Sequence, residues 1–186
     1  MALGVEPEQQ PQAGPRQEVQ AGLSQQEAQR RLLLCFDGSE EAAEAIGTAG
    51  ALMHGREALV LCVAVPARHQ LGIGPADALA GRLSGLYSEW DEAAREVAER
   101  VAARGCELAA EVGLHARPLV ASGKPAPTIV RVADELDVSA IVVGAGHRGA
   151  LGGVLGSVSA RVAHEALRPV LVVRGPRPAS SPAAGT

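Results

Sequence analysis

Apolar and polar positions along the chain fall into blocks that predict alternating strands and helices. Leu32-Leu33-Leu34-Cys35-Phe36 is a continuous apolar run closed by Asp37-Gly38-Ser39. Such a run, ended by turn residues, predicts a buried strand. Ser39 has the hydroxyl of a helix N-cap, so a helix is expected from there to about His54. Leu59-Val60-Leu61-Cys62-Val63 predicts a second buried strand, followed by a Pro- and Gly-punctuated loop over 65–82. Leu83, Leu86, Trp90, Ala94, Val97 and Val101 then recur at spacings of three and four. That spacing predicts a long amphipathic helix with these residues turned inward.

A third strand is expected near Ala116–Ala121. Pro118 has no N–H to give a ladder, which places this strand at a sheet edge. Gly123 to Pro127 turns the chain into a helix carrying Ile129, Val130, Val132, Ala133 and Leu136. Pro127 falls in its first turn, where proline is tolerated. Ala140–Val143 predicts a fourth strand, a helix is expected from about Ser157 to Leu167, and Pro169–Val173 predicts a fifth strand. Strands that are apolar throughout, separated by helices, indicate an α/β fold. The parallel sheet is covered by helices on both faces. Right-handed crossovers make it a single doubly wound domain. Ligands in such folds bind beyond the strand C-termini where strand order reverses, so the loops after strands one and four are the candidates.

The ends of the chain break the pattern. Residues 1–29 hold eight of the nine glutamines, together with Pro7, Pro11 and Pro15. A segment so poor in apolar side chains is expected to be a disordered arm. Within it, Ser24-Gln25-Gln26-Glu27 has capping-box spacing and is the place for a short helix. Residues 176–186 are rich in proline and small residues and are expected to be a loose tail. The domain is thus expected over 30–175.

Composition narrows the class. The 186 residues are 47% apolar but only 2% aromatic, so the core must be aliphatic. A net charge of −4 argues against nucleic acid, where a basic face would be expected. The three cysteines, Cys35, Cys62 and Cys106, are odd in number and show no CxxC spacing. They fit a reduced cytoplasmic protein better than a disulfide scaffold. No apolar run approaches the ~20 residues of a membrane helix. No cationic segment followed by an apolar one opens the chain, so no secretory signal is expected.

The chemistry concentrates in Val143-Gly144-Ala145-Gly146-His147-Arg148-Gly149-Ala150-Leu151-Gly152-Gly153-Val154-Leu155-Gly156-Ser157, six glycines between a strand and a helix. Glycine lets a backbone approach a ligand closely. The helix that follows offers free N–H groups and the positive end of its dipole, a setting for phosphate. The plain alternative is a loop that only joins two elements. The stretch is not a Walker A loop, because GxxxxGK[ST] occurs nowhere. Gly144 to Gly149 matches GxGxxG, but no ribose-binding acid follows ~20 residues on at a second strand end.

From Arg31 to Arg174 the chain resembles the universal stress protein family. The resemblance rests on Leu32–Ser39, Val60–Val63, Gly123-Lys124-Pro125-Ala126, Val142-Val143-Gly144 through Gly156-Ser157-Val158-Ser159, and Arg168-Pro169-Val170-Leu171-Val172-Val173. It implies a five-stranded parallel sheet in order 3-2-1-4-5, which agrees with the edge position argued from Pro118. ATP-binding members carry G-x2-G-x9-G-[ST]; here the string is one residue short, G-x-G-x9-G-S from Gly144 through Gly146 to Gly156-Ser157.

The resemblance also implies a site. Asp37 meets ribose or adenine, Cys35 and Phe36 lie beside the base, and Val63 packs on adenine. Val143 and Gly144 border the ribose. Gly146, Gly156, Ser157, Val158 and Ser159 hold the phosphates. Asp37 read without the resemblance is a turn residue before Gly38. The implied ligand is ATP, with or without Mg2+, and AMP and cyclic AMP are alternatives. The implied activity is binding and stress-response regulation by a homodimer paired through strand five, Val170–Val173.

Other residues leave choices open. No two of the five histidines make a ligand pair at helical spacing, so no metal site is expected. His147 and Arg148 either reach a phosphate or are solvated loop side chains. Lys124 either attracts an anion or decorates a helix start. Cys35 and Cys62, on neighbouring strands, are either a redox pair or buried inert thiols. No nucleophile–base set is evident, so an enzyme is not expected. The functional alternatives are a member that works by protein contacts without nucleotide, and a slow nucleotide hydrolase.

Overall fold

A computed structural model of the chain describes residues 31–66, 84–146 and 155–175. The described residues form β1 (Leu32–Cys35), α1 (Glu40–Met53), β2 (Glu57–Ala64), α2 (Ser84–Glu111), β3 (His115–Ser122), α3 (Pro125–Glu135), β4 (Ala140–Gly144), α4 (Ser157–Glu165) and β5 (Val170–Val173). The two terminal segments, with the capping-box stretch at Ser24, lie outside the described residues, as does 67–83 of the expected loop. The strands make one sheet in order β3-β2-β1-β4-β5. All four pairings are parallel. The expected fold class and strand order are therefore the observed ones.

Two of the crossovers have a local cause in the described residues. Gly38 turns the chain at the end of β1 with φ of +86°, a conformation that costs glycine little. Ser39 then caps α1, its Oγ accepting from the Ala42 N–H at 3.2 Å. Pro125 opens α3, where no N–H is needed. Pro118 lies opposite Val60 in β3, at the edge where its missing donor costs nothing.

The sheet separates two cores. Leu32, Leu34, Val60 and Val142 face α1 and α2 together with Phe36. Leu33, Cys35, Leu59, Leu61, Ile141 and Val143 face α3 and α4. Leu32, Leu33 and Leu34 are wholly buried, and burial of each such side chain contributes ~1.5–3 kcal/mol.

The inward stripe of α2 differs from expectation. Trp90 and Val97 are 58% and 51% exposed, and Ala94 is half-buried. Leu83 and the side chain of Leu86 lie outside what is described. The buried positions are Ala98, Ala102, Gly105 and Ala109. The reason is clearance. A Cβ on Gly105 would stand 2.6 Å from Val60 Cγ1 and 2.8 Å from Phe36 Cδ1. At Gly105 the helix lies so near the strands that a side chain does not fit, whereas Val101, also expected in the stripe, is half-buried and packs on the core as expected.

Candidate functional site

Beyond the C-terminal ends of β1, β2 and β4 lies a cleft of about 320 Å3. It sits where strand order reverses, since β1 is followed in the sheet by β2 on one side and β4 on the other. All eleven residues singled out in the sequence line it: Cys35, Phe36, Asp37, Val63, Val143, Gly144, Gly146, Gly156, Ser157, Val158 and Ser159. Ser39, Glu41, Ala42, Leu61, Pro125 and Ile129 also line it. Leu61, Val63, Pro125, Ile129 and Val143 give it an apolar wall.

Asp37 is exposed at the lip. Its Oδ1 accepts from the Ser39 N–H at 3.0 Å and from the Ser39 hydroxyl at 2.6 Å. This is the turn role that aspartate takes by default. Oδ2 has no hydrogen-bond partner among the described residues, so the same side chain keeps an acceptor for a ligand.

The glycine loop begins and ends at one point. The Gly156 N–H donates to the Ala145 carbonyl at 2.7 Å. The Ser159 hydroxyl lies 3.1 Å from that carbonyl and 3.0 Å from the Gly156 carbonyl. Ser159 is 1% exposed. Its one proton is spent on these carbonyls, which ties the start of α4 to the end of β4. Ser157 is exposed and carries the open hydroxyl. Gly156 stands at the N-cap, and no side chain caps the helix there. The N–H groups of the first turn are therefore left without intrahelical partners, as at any helix start. Residues 147–154, including His147 and Arg148, lie outside the described residues.

The glycines do different work. Gly146 has φ of +79°, which an L side chain rarely adopts. A Cβ on Gly144 would stand 2.8 Å from the Glu41 carbonyl, so this glycine admits the backbone of α1. A Cβ on Gly156 would meet the Ala145 oxygen at 3.0 Å and Gly146 Cα at 3.4 Å. Substitution there disturbs the loop base as well as any ligand.

The thiols are set apart. Cys35 packs on the α3/α4 face and Cys62 against Ala98 and Ala102 of α2. Leu61 is the residue opposite Cys35, so Cys62 is one step on and points to the other face. All three cysteines are free, and a Cys35–Cys62 pair is not formed. Burial, with the Asp37 carboxylate adding, pushes the Cys35 thiol up to about 12. The same two causes raise Cys62, and burial raises Cys106.

Lys124 stands at the N-cap of α3 without a side-chain cap bond and is not among the cleft-lining residues. No group of three potential metal ligands occurs among the described residues. No described helix is long and apolar enough to cross a membrane.

Comparison with known proteins gives a consistent result. The family model described as "Universal stress protein family" matches residues 29–174. A universal stress protein from Bacillus subtilis, YxiE, is 32% identical over 148 residues, covering 77% of this chain and 98% of that one. The structure of UspA from Lactobacillus plantarum superposes with a TM-score of 0.62 at 21% identity, covering 78% of this chain and 98% of that one. A universal stress protein family protein from Arabidopsis thaliana, solved with AMP bound, has a TM-score of 0.51 at 17% identity, with 81% and 93% coverage.

Proposed function

This chain belongs to the universal stress protein family, and from that premise we propose that it is a cytoplasmic stress-response protein that binds an adenine nucleotide. Its nucleotide-binding domain runs over 30–175. One observation carries the reading: a single cleft joins an apolar wall, an acceptor at Asp37, and an uncapped helix start at Ser157. The Arabidopsis relative with AMP bound supports it. Base and ribose lie against Cys35, Phe36, Asp37, Val63, Val143 and Gly144. Phosphate lies against Gly146, Gly156, Ser157 and Val158, with Ser159 holding the loop base behind it. ATP, AMP and cyclic AMP share the part of the ligand that this arrangement accommodates.

The decisive measurement is the nucleotide content of protein purified without added ligand, released by denaturation and identified by mass. An adenine nucleotide in near-equimolar amount is the expected result. Empty protein that shows no binding in titration calorimetry would sink the reading in favour of a family member acting by protein contacts. Nucleotide recovered only as product after long incubation with ATP and Mg2+ would point instead to a slow hydrolase.

The assembly reading is a homodimer paired through β5. Val170, Leu171 and Val172 are half-buried on a strand whose outer side has no neighbour in the sheet among the described residues. Open edges of this kind are usually covered. Sedimentation should give a dimer, and Val172→Pro, which deletes a ladder donor, should shift it toward monomer. A monomeric wild type at micromolar concentration refutes the pairing.

A further inference from the structure

We infer that Ser39 is a positioning residue for ligand binding: it fixes the Asp37 carboxylate at the lip of the cleft and ties it to the start of α1. This role rests on the adenine-nucleotide reading above and adds to it a residue that acts through Asp37. Ser39 lines the cleft, so its hydroxyl is well placed to donate to a ligand. Its hydrogen bonds give it another task. A serine hydroxyl has one proton. Here that proton goes to Asp37 Oδ1 at 2.6 Å, the length of a charge-assisted bond. The serine oxygen in turn accepts from the Ala42 N–H at 3.2 Å.

Gly38, with φ of +86°, folds the chain so that the two side chains meet. The Ser39 N–H adds a second bond to the same Oδ1 at 3.0 Å. An exposed carboxylate held by nothing would have to be immobilised when the ligand arrives, which weakens binding. Two bonds to Oδ1 hold it beforehand and leave Oδ2 as the acceptor. The anchor is firm as well. Ala42 is buried, and the Glu41 carbonyl lies so near Gly144 that a Cβ there would stand 2.8 Å from it. The first turn of α1 is thus set against β4. Neither the turn nor the helix cap alone calls for serine. Any residue but proline supplies the main-chain N–H, and glycine is nearly as good an N-cap. The bond from the hydroxyl to Asp37 is what a hydroxyl residue at 39 adds.

The test is a double-mutant cycle by titration calorimetry on the full chain, with AMP and with ATP plus Mg2+. The variants are Ser39→Gly, Ser39→Thr, Asp37→Ala and the pair Asp37→Ala with Ser39→Gly, each checked for fold by circular dichroism. Ser39→Gly should weaken binding about threefold to tenfold, the scale of leaving one side chain unfixed. The loss should be the same for AMP and ATP, because Asp37 meets the nucleoside part they share. Ser39→Thr keeps the hydroxyl and should stay within about twofold of wild type. Asp37→Ala should weaken binding at least ~10-fold. In that background Ser39→Gly should cost less than about twofold more.

Four outcomes overturn the role of Ser39 while leaving the nucleotide reading intact. Ser39→Gly binds as wild type does. Ser39→Thr, though folded, binds as poorly as Ser39→Gly. The loss is confined to ATP, which puts Ser39 at the phosphates. The loss persists in full without Asp37, which makes Ser39 a direct contact or a purely structural cap. Failure of wild type to bind either AMP or ATP overturns the nucleotide reading, and the role of Ser39 with it.

Discussion

On one face of the sheet α2 sets Gly105 against Val60 and Phe36 and seals the strands with Ala98, Ala102 and Ala109. On the other, α3 and α4 meet the strands through Ile129, Val132, Leu136 and Val162. These helices have 11 and 9 residues against 28 in α2. At the C-terminal end of that second face, Cys35, Leu61, Val63 and Val143 border the cleft. The first face shows what close approach achieves: a wall that leaves no room. The second shows what short helices with branched side chains leave behind: a space bounded by strand ends and a helix start.

The comparison can be broken first on the closed face. Gly105→Val forces two methyls into contacts already too short for one carbon, and overpacking of this kind typically costs ~1–3 kcal/mol. A loss of about 3 kcal/mol in urea unfolding is expected. A well-tolerated valine would mean that α2 can move off the sheet, and that the wall is not rigid.

The next effect sharpens the chemistry of the open face. The Cys35 thiol is raised from 9.0 to about 12, so it stays protonated when folded at a pH where the unfolded thiol has ionised. Its contribution to stability is whole below pH 9 and is lost as pH rises from there toward 12. At about 1.4 kcal/mol per pH unit, wild type should lose ~2 kcal/mol more than Cys35→Ala on going from neutral pH to about pH 10.5. Parallel curves for the two proteins would show that Cys35 is reached by solvent.

The smallest effect separates site from core. Val63 is half-buried and lines the cleft. Val63→Ala should cost less than ~1 kcal/mol of stability, yet weaken nucleotide by roughly fivefold, the worth of one or two buried methylenes. Equal loss at Leu59→Ala, which lies deep in the same strand, would erase the distinction between wall and core.

Much of this was legible in the chain because it depends on local chemistry. Apolar runs ending at Asp37 and Gly144 marked the strands, and Pro118 alone placed β3 at an edge. The glycine loop located the cleft because its ends must meet at a strand and a helix. What escaped depends on approach distances. Glu41, Ala42, Pro125 and Ile129 line the cleft only because α1 and α3 start beside it, which no spacing encodes. The resemblance makes Gly144 a ribose neighbour, yet its missing side chain also admits the Glu41 carbonyl. In α2 periodicity points to Trp90 and Val97, which are exposed, and to Val101, which does pack on the core, whereas clearance from the sheet selects Ala102 and Gly105. Cys35 and Cys62 could be separated only by register, since a shift of one residue decides the face.

The clasp at the base of the glycine loop bears on how such a protein can change over generations. The chain leaves at Gly146 and re-enters at Gly156, two residues in van der Waals reach, and the Ala145 carbonyl fastens both sides. Whatever lies between is anchored at one spot on the scaffold. Shortening a loop of about ten residues by one alters its closure cost by only ~0.1 kcal/mol. Lineages can therefore lengthen, trim or rewrite those residues, and with them the choice of ligand, while the sheet beneath is inherited unaltered.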